Sequence, residues 1–224
     1  MTDTLSKIAA VRDDLAANLI DRAEAIDAAI LALLVRAHLL LLGPPGTAKS
    51  LLVREVCDRI EGASYFERLL TKFSTPEELF GPLSLSALEN DRYERVVKGT
   101  LVDAHIGFVD EVFKANSAIL NSLLTLINER VFHQGSGPMH VPLLSLFAAS
   151  NETPEDGSLA ALYDRFLLRV QVPYLADDDA MRSLLRHTEY TADAEITLDE
   201  LKAAQSEVRR IPLTDTAIDA MIAV

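Results

Sequence analysis

The chain has 224 residues, 49% of them hydrophobic, which is enough to bury a full core in one domain, or in one domain and part of another. The formal net charge of -13, with no compensating basic run, argues against nucleic acid or an anionic membrane surface as partner. The single cysteine excludes an internal disulfide, the amino end lacks the features of a signal peptide, and no apolar run is long enough to cross a bilayer, so we expect a cytoplasmic, soluble protein.

Two helices are predicted at the amino end, over residues 5–17 and 21–37. The second has one broad apolar face, and Asp21 is predicted to cap its first turn. Four consecutive leucines follow at residues 39–42 and predict a buried strand.

A glycine-rich loop comes next, and the rest of the chain is organised around it. A strand precedes this loop, and a helix predicted to about Ile60 follows it. This order of strand, glycine loop and helix is the context of a phosphate-binding loop. Glycine lets backbone N–H groups turn toward a phosphate, and the helix start adds unpaired donors. The residues predicted to surround the phosphates are Gly43, Pro44, Pro45, Gly46, Thr47, Ala48, Lys49, Ser50 and Leu51.

In this interpretation Lys49 reaches the β- and γ-phosphates, and the hydroxyl of Ser50 ligates Mg²⁺. Ala48 is the one departure from the pattern G-x-x-x-x-G-K-[ST], since glycine is usual there. Alanine is small and favours helix, so we expect the loop to close. The alternative is an ordinary corner between strand and helix that happens to carry a lysine and a serine.

After the glycine loop and its helix a second strand is predicted, and the signal from Thr71 to Gly99 is then mixed. Gly62 ends the helix, and residues 64–70 are predicted as a second strand. Residues 74–81 predict a capped turn of helix, and residues 93–97 predict a short strand.

Two acids, Asp110 and Glu111, end the next predicted strand, residues 106–111. At the carboxyl end of a strand beside the glycine loop, Asp110 can hold Mg²⁺ through water and Glu111 can orient the attacking water. The alternative is an ordinary helix start, where acids interact well with the helix dipole. A glycine loop roughly sixty residues upstream favours the site.

The following elements complete the alternation of strands and helices. A helix with an apolar face at residues 119–127 precedes a hairpin at 131–141, and a buried strand over 143–150 ends at Asn151. A helix over 159–166 and a strand over 168–172 follow. The pattern predicts an α/β fold with a mostly parallel sheet covered on both faces.

Asn151 and Arg165 are two further candidate site residues. Asn151 lies at the sheet edge where open α/β sheets bind ligands, and it can hydrogen-bond the γ-phosphate or the water; the alternative is an Asx-turn. Arg165 can reach the nucleotide of a neighbouring subunit, although a lone arginine is more often in a surface ion pair.

Past Pro173 the sequence predicts helix only, in three segments. The last has an apolar face and no stop signal, so we expect the chain to be a piece of a longer protein. The five histidines have no metal-ligand spacing, and Cys57 has no evident catalytic partner.

Taken together, the glycine loop, the strand ending in Asp110 and Glu111, the strand ending in Asn151 and the segment 162–166 resemble an AAA+ ATPase module in order and spacing. The likeness covers essentially the whole chain. More narrowly, the stretches 38–46, 73–82 and 110–116 resemble the MoxR family and its RavA-like subgroup, in which alanine before the loop lysine is common.

The resemblance implies a P-loop NTPase of αβα sandwich form over residues 1–173, followed by the start of an all-helical lid over 174–224. Within the core, residues 71–99 would hold the helix-2 insert and 131–141 the pre-sensor-1 hairpin. Residues 19–22, Ile20 among them, would touch the adenine. The implied catalytic residues are Lys49 of Walker A, Glu111 of Walker B beside the metal-holding Asp110, Asn151 as sensor 1 and Arg165 as arginine finger; Thr71 would hold Glu111 inactive.

The implied function is that of a chaperone-like remodelling ATPase, which binds ATP or ADP with Mg²⁺ and acts on protein clients. Such proteins form rings, typically hexamers, with a partner that carries a von Willebrand factor A domain. Because no position for a sensor 2 arginine is present, we expect nucleotide binding more readily than hydrolysis. Two alternatives remain: a nucleic-acid motor, disfavoured by the net charge and by a hairpin whose basic side chains are only His133 and His140, and a nucleotide-gated binding module with little turnover.

Overall fold

A computed structural model of the protein describes residues 2–135, 137–154, 157–186 and 191–222. The helices are α1 (Thr2–Asn18), α2 (Ala23–Val35), α3 (Lys49–Asp58), α4 (Pro76–Phe80), α5 (Leu85–Leu88), α6 (Ser117–Glu129), α7 (Gly157–Tyr163), α8 (Asp178–Arg186), α9 (Leu198–Val208) and α10 (Asp215–Ile222). The strands are β1 (Leu39–Leu42), β2 (Ile60–Glu61), β3 (Tyr65–Leu69), β4 (Ile106–Asp110), β5 (Val131–Gln134), β6 (Gly137–His140), β7 (Ser145–Ser150), β8 (Leu168–Gln171) and β9 (Ile196–Thr197). Short 3-10 helices occupy Leu101–Asp103 and Val112–Lys114.

Five parallel strands form the central sheet, in the order β3-β4-β7-β1-β8. Leu42, the last residue of β1, pairs with Ser150 of β7 on one side and with Gln171 of β8 on the other. Leu69 pairs in the same way with Asp110. The carboxyl ends of the strands therefore meet at one edge, and the predicted α/β fold with a parallel sheet is confirmed.

Helices cover both faces of this sheet, which is why β1 can consist of leucine alone. Leu39 and Leu41 pack into one apolar cluster with residues of α1, α2, α3 and α9, and Leu40 and Leu42 pack into the other with residues of α6. Successive side chains of a strand point to opposite faces, so a strand buried on both sides is apolar throughout. Among the described residues, no helix is long and apolar enough to span a membrane.

Several local predictions about the helices and turns can be compared with the structure. The capped turn is confirmed, because α4 begins with a capping box between Thr75 and Glu78 and ends at Gly81. The cap at Asp21 is wrong: Asp21 has a left-handed backbone, with φ of 58°, and Arg22 occupies the N-cap position of α2 without a side-chain cap.

Two predictions about strands were also wrong. Residues 93–97 form no strand, and their pairing is a single antiparallel bridge between Leu83 and Arg95. The segment after Pro173 is not helix only, because β9 pairs in parallel with β2. The hairpin at 131–141 is present as β5 and β6, which pair antiparallel.

Helix α9 packs against the core. Leu201 and Ala204 lie in the apolar cluster of α1 and α2, and the side-chain amide of Gln205 donates to the carbonyl of Leu33 at 2.8 Å. The separation of a core over 1–173 from a lid over 174–224 stays a prediction.

A buried histidine connects the amino end of β1 to its neighbours. His38 Nδ1 accepts from the backbone N–H of Leu146 at 2.9 Å, and Nε2 lies 3.0 Å from the carbonyl of Ile127. These contacts fit a neutral ring whose proton is on Nε2. Burial, and then the charge of Arg130, lower the pKa of His38 from 6.5 to about 4.

We expect His38 to make the protein less stable in mild acid. The unfolded chain takes up the proton near its ordinary pKa of 6.5, whereas the folded chain does so only near 4. The contribution is therefore complete above pH 6.5 and is lost as the pH falls toward 4, by on the order of 3 kcal/mol in the free energy of unfolding. Urea unfolding at pH 7 and pH 4.5 should show a smaller drop for His38→Asn than for the wild type.

His133→Asn is the matched control, because His133 is exposed on β5. It should show the wild-type drop between the two pH values. An equal drop in His38→Asn and the wild type would contradict the assignment.

Candidate active site

The glycine loop, residues 43–50, connects β1 to α3 at the carboxyl edge of the sheet. Gly43 is held between the neighbouring strands: its N–H donates to the carbonyl of Ser150 at 3.0 Å, and a Cβ would lie 2.2 Å from the carbonyl oxygen of Val172. Only glycine fits at this position without movement of the backbone. The loop is thus anchored to the end of β7 and to the residue after β8.

Ala48 closes the loop in a left-handed conformation, with φ of 66° and ψ of 25°, at the N-cap position of α3. The loop does close, as expected, but not through the helical preference of alanine. Glycine adopts this backbone freely, whereas an alanine is strained by roughly 1 kcal/mol or more. The strained backbone of Ala48 should therefore lower the free energy of unfolding by a measurable amount.

We expect Ala48→Gly to stabilise the fold by about 0.5 kcal/mol, because relief of the strain exceeds the entropy that glycine adds to the unfolded chain. Ala10→Gly, at an exposed position inside α1, should instead destabilise it by about 1 kcal/mol. Urea unfolding of both variants measures the difference. Equal destabilisation by the two changes would show that Ala48 is not strained.

Lys49 lies inside the loop, with 7% of its surface exposed. Its Nζ donates to the carbonyls of Gly43 at 2.8 Å and Pro44 at 2.7 Å. Burial lowers the pKa of Lys49, and the charges of Asp110 and Glu111 oppose that change. The ammonium is therefore directed into the loop, where a phosphate would compete with neutral carbonyls for its three donors.

Asp110 is the last residue of β4, and burial raises the pKa of its carboxyl group. One carboxylate oxygen accepts from the backbone N–H of Glu111 at 2.9 Å. Among the described residues, no cluster of three or more His, Cys, Asp and Glu side chains could hold a metal. Asp110 and the Ser50 hydroxyl fit Mg²⁺ nevertheless, since this ion commonly takes one or two carboxylates and completes its shell with phosphates and water.

Glu111 has a left-handed backbone and directs its carboxylate to Lys114, whose Nζ is 3.2 Å away. The prediction that Thr71 holds Glu111 is wrong for this structure. The hydroxyl of Thr71 accepts from the N–H of Phe73 at 3.2 Å and lies 3.4 Å from that of Ser74. The partner that holds Glu111 here is Lys114.

Asn151 and Arg165 lie at opposite edges of the sheet. Asn151 follows β7 directly and is exposed beside the glycine loop, as the pairing of Leu42 with Ser150 requires. Arg165 is exposed near the amino end of β1, where it lines a cavity together with Arg36 and His38. The structure therefore brings Asn151, but not Arg165, to the loop of its own chain.

A cavity of about 310 Å³ adjoins the glycine loop. Its walls combine Leu19, Ile20 and Arg22 of the predicted range 19–22 with residues that the sequence analysis missed. The lining residues are Asn18, Leu19, Ile20, Arg22, Gly46, Thr47, Ala48, Tyr174, Leu175, Met181 and Leu184. Met181 and Leu184 are spaced three apart on α8, and this apolar spacing on a helix with five polar residues was the signal available in the sequence.

Arg22, the last residue of the predicted range 19–22, is buried between this cavity and the glycine loop, and its contacts with the loop were not predicted. Its Nε donates to the carbonyl of Thr47 at 3.1 Å, and its Nη2 donates to that of Pro173 at 3.0 Å. Arg22 thus joins the loop to the residues that follow β8. A buried guanidinium with backbone carbonyls as its partners leaves no spacing pattern in the sequence.

Comparison with known proteins identifies the family of the chain. A sequence profile of the MoxR domain in the MoxR-vWA-beta-propeller ternary systems matches residues 6–212. An uncharacterized protein of Methanocaldococcus jannaschii is 43% identical over 215 residues, which cover 95% of this chain and 56% of that protein. Chaperone MoxR1 of Mycobacterium tuberculosis is 27% identical over 166 residues, which cover 72% of this chain and 43% of that protein.

The crystal structure of a candidate ATPase from Cytophaga hutchinsonii has the same fold, with a TM-score of 0.79 at 18% identity over 99% of this chain and 68% of that chain. The present chain spans just over half the length of the Methanocaldococcus jannaschii relative. Because the profile match extends over nearly all of its residues, the chain belongs to the MoxR family of AAA+ ATPases.

Proposed function

We propose that the protein binds ATP or ADP with Mg²⁺ and hydrolyses ATP to ADP and phosphate. The observation that carries this proposal is the position of Lys49, whose ammonium points into the glycine loop within the electrostatic range of both Asp110 and Glu111. Phosphoryl transfer to water requires a cradle for phosphate, a metal ligand and a group that orients the water, and these residues supply all three.

Each residue has a defined role in this proposal. Lys49 leaves the carbonyls of the loop and binds the β- and γ-phosphates. Ser50 and Asp110 hold Mg²⁺, which would neutralise negative charge on the phosphates. Glu111 leaves Lys114 and orients the attacking water, and Asn151 hydrogen-bonds the γ-phosphate or that water.

The cavity beside the loop takes the adenine. Ile20 and its neighbours form one wall, and Met181 and Leu184 of α8 form another. Apolar side chains on both sides suit a flat base, while the loop holds the phosphates. Because α8 lies after Pro173, nucleotide binding would connect the core to the segment that we assign to the lid.

The proposed active sites are shared between chains. Arg165 is exposed and lies at the sheet edge opposite to its own loop, so it can act on the nucleotide of a neighbour. We propose a ring, with six members as the expected number, in the cytoplasm. The family description supports a partner with a von Willebrand factor A domain, and the name of the chaperone relative supports action on protein clients.

Clients would contact the segment 71–99, where Phe73 is 91% exposed. Large exposed apolar side chains are typical of surfaces that bind other proteins. Membership of the RavA-like subgroup is part of the same proposal. A nucleic-acid motor is not favoured, because the hairpin of β5 and β6 presents only His133 and His140 as basic side chains.

ATP affinity and turnover test the proposal together. Lys49→Met should weaken ATP binding by about 10- to 100-fold, because a charge-assisted hydrogen bond contributes roughly 1.5–3 kcal/mol. Lys98→Met, which removes an exposed lysine, should bind like the wild type. Calorimetric titration with ATP and Mg²⁺ measures both. Unchanged affinity in Lys49→Met would show that the glycine loop is not the phosphate site.

A further inference from the structure

A second cavity, of about 320 Å³, opens at the amino-terminal edge of the sheet. Its lining includes three arginines, Arg36, Arg130 and Arg165, together with the carboxylate of Asp164. This concentration of positive charge is unexpected in a chain with 34 acidic and 21 basic residues. The cavity lies at the opposite end of β1 from the glycine loop.

The ends of two helices bring Arg36 and Arg130 together. Arg36 follows α2 and Arg130 follows α6, and each occupies a left-handed C-cap with φ of 56°. Arg130 Nη2 donates to the carbonyls of Arg36 at 2.6 Å and Leu144 at 3.2 Å. These carbonyls are hydrogen-bond partners for the guanidinium of Arg130. Within the described part of the chain, the guanidinium groups of Arg36 and Arg165 have no such partner.

The positive charge of this cluster is not neutralised within the described part of the chain. There, no carboxylate lies within 4.0 Å of the guanidinium of Arg36, Arg130 or Arg165, and Asp164 instead approaches Arg169 at 3.9 Å. Burial and the nearby charge of Arg36 lower the pKa of Arg130 to about 10. Like charges that approach without a counterion indicate that an anion is the missing partner.

We infer that Arg36 and Arg165, supported from behind by Arg130, bind the phosphate end of a nucleotide held in the glycine loop of a second copy of the chain. A planar guanidinium group can donate two hydrogen bonds to a pair of phosphate oxygens. Arginines held together in one cavity bind a phosphate more tightly than a single arginine on a flexible surface does. The facing edge of the second copy carries Asp110 and Glu111 and, once loaded, the phosphates, so the two edges have complementary charge. The inference rests on the proposed function and adds Arg36 to it.

Steady-state turnover at saturating ATP and high protein concentration is the first test. We expect Arg36→Gln to lower turnover by about tenfold or more, with the ATP affinity of the unassociated chain, measured at low protein concentration, unchanged. Arg36→Lys should restore only part of the loss because lysine lacks the planar fork. Arg209→Gln is the matched control: Arg209 is also a helix C-cap, at the end of α9, and is exposed on another surface. It should behave like the wild type.

Mixing two variants of low turnover provides a readout that a damaged fold would not give. Lys49→Met has an intact arginine face, and Arg36→Gln has an intact loop, so contacts between one of each contain a complete site. We expect turnover to return on mixing. Sedimentation with ATP in a Glu111→Gln background should also show weaker self-association, by about tenfold, when Arg36→Gln is added.

The outcomes separate the two proposals. If Arg36→Gln turns over like the wild type while Arg165→Gln is inactive, the role of Arg36 is wrong and the shared site stands. If both variants turn over like the wild type while Lys49→Met does not, the sites are not shared and the inference fails with that part of the proposed function. Failure of the mixture to recover activity would also overturn the inference.

Discussion

Replacement of Glu111 by glutamine is expected to lower ATP turnover by about 10²- to 10⁴-fold, with ATP affinity changed by no more than a few-fold. Glutamine keeps the size of the side chain and can still occupy its place at the end of β4. It cannot accept the proton of the attacking water, and it loses the charge that polarises this water. We therefore expect kcat to fall, because Glu111 makes an interaction that is needed in the transition state.

The ion pair between Glu111 and Lys114 makes the test sharper. In the structure the carboxylate is 3.2 Å from Lys114 Nζ, so catalysis requires it to exchange that partner for water. Glu89→Gln, at the exposed C-cap of α5, is the control and should leave turnover unchanged. Equal losses of affinity and turnover in Glu111→Gln would instead assign this residue to nucleotide binding.

The turnover of the wild type decides between an ATP-hydrolysing motor and a nucleotide-gated binding module. ATP binding with negligible turnover, unchanged in Glu111→Gln, would indicate a nucleotide-gated binding module. Turnover that falls in Glu111→Gln while affinity is kept would exclude such a module. Both measurements use the same purified chains.

Much of the sheet could be predicted from the sequence, because a strand that is buried on both faces consists of apolar residues throughout. The leucines of β1 are apolar throughout, and the next residue, Gly43, must be glycine to avoid the carbonyl of Val172. The acids at the end of β4 and Asn151 after β7 fall at one edge because parallel strands align their carboxyl ends. Short-range patterns and topology together determine these positions.

Long-range contacts and backbone conformations could not be predicted in this way. Strand β9 forms by pairing with β2, which is distant from it in the chain. Its two residues are too few to show the alternation of apolar and polar side chains that predicts a strand. Asp21 has the chemistry of a cap, but its left-handed backbone prevents that role. The buried contacts of Arg22 and the arginine cluster at the opposite edge depend on tertiary packing, for which the sequence has no spacing rule.

Replacement of Arg165 by alanine is expected to lower ATP turnover by about a thousandfold or more, the effect of a finger that stabilises charge in the transition state. The ATP affinity of the unassociated chain, measured at low protein concentration, should not change, because Arg165 lies at the edge opposite to its own loop. Wild-type turnover per chain should rise steeply with protein concentration, since each site needs a neighbour. The rise should be absent in Arg165→Ala.

Arg169→Ala is the matched control for this prediction. Arg169 lies four residues further on and stacks over the ring of Tyr163, 3.9 Å from its centre. Its loss should reduce the free energy of unfolding by about 0.5–1 kcal/mol through the cation–π contact and leave turnover at high concentration unchanged. Loss of turnover in Arg169→Ala but not in Arg165→Ala would move the role of the finger to Arg169. Wild-type turnover per chain that is substantial and independent of concentration would show that each chain hydrolyses ATP without a neighbour.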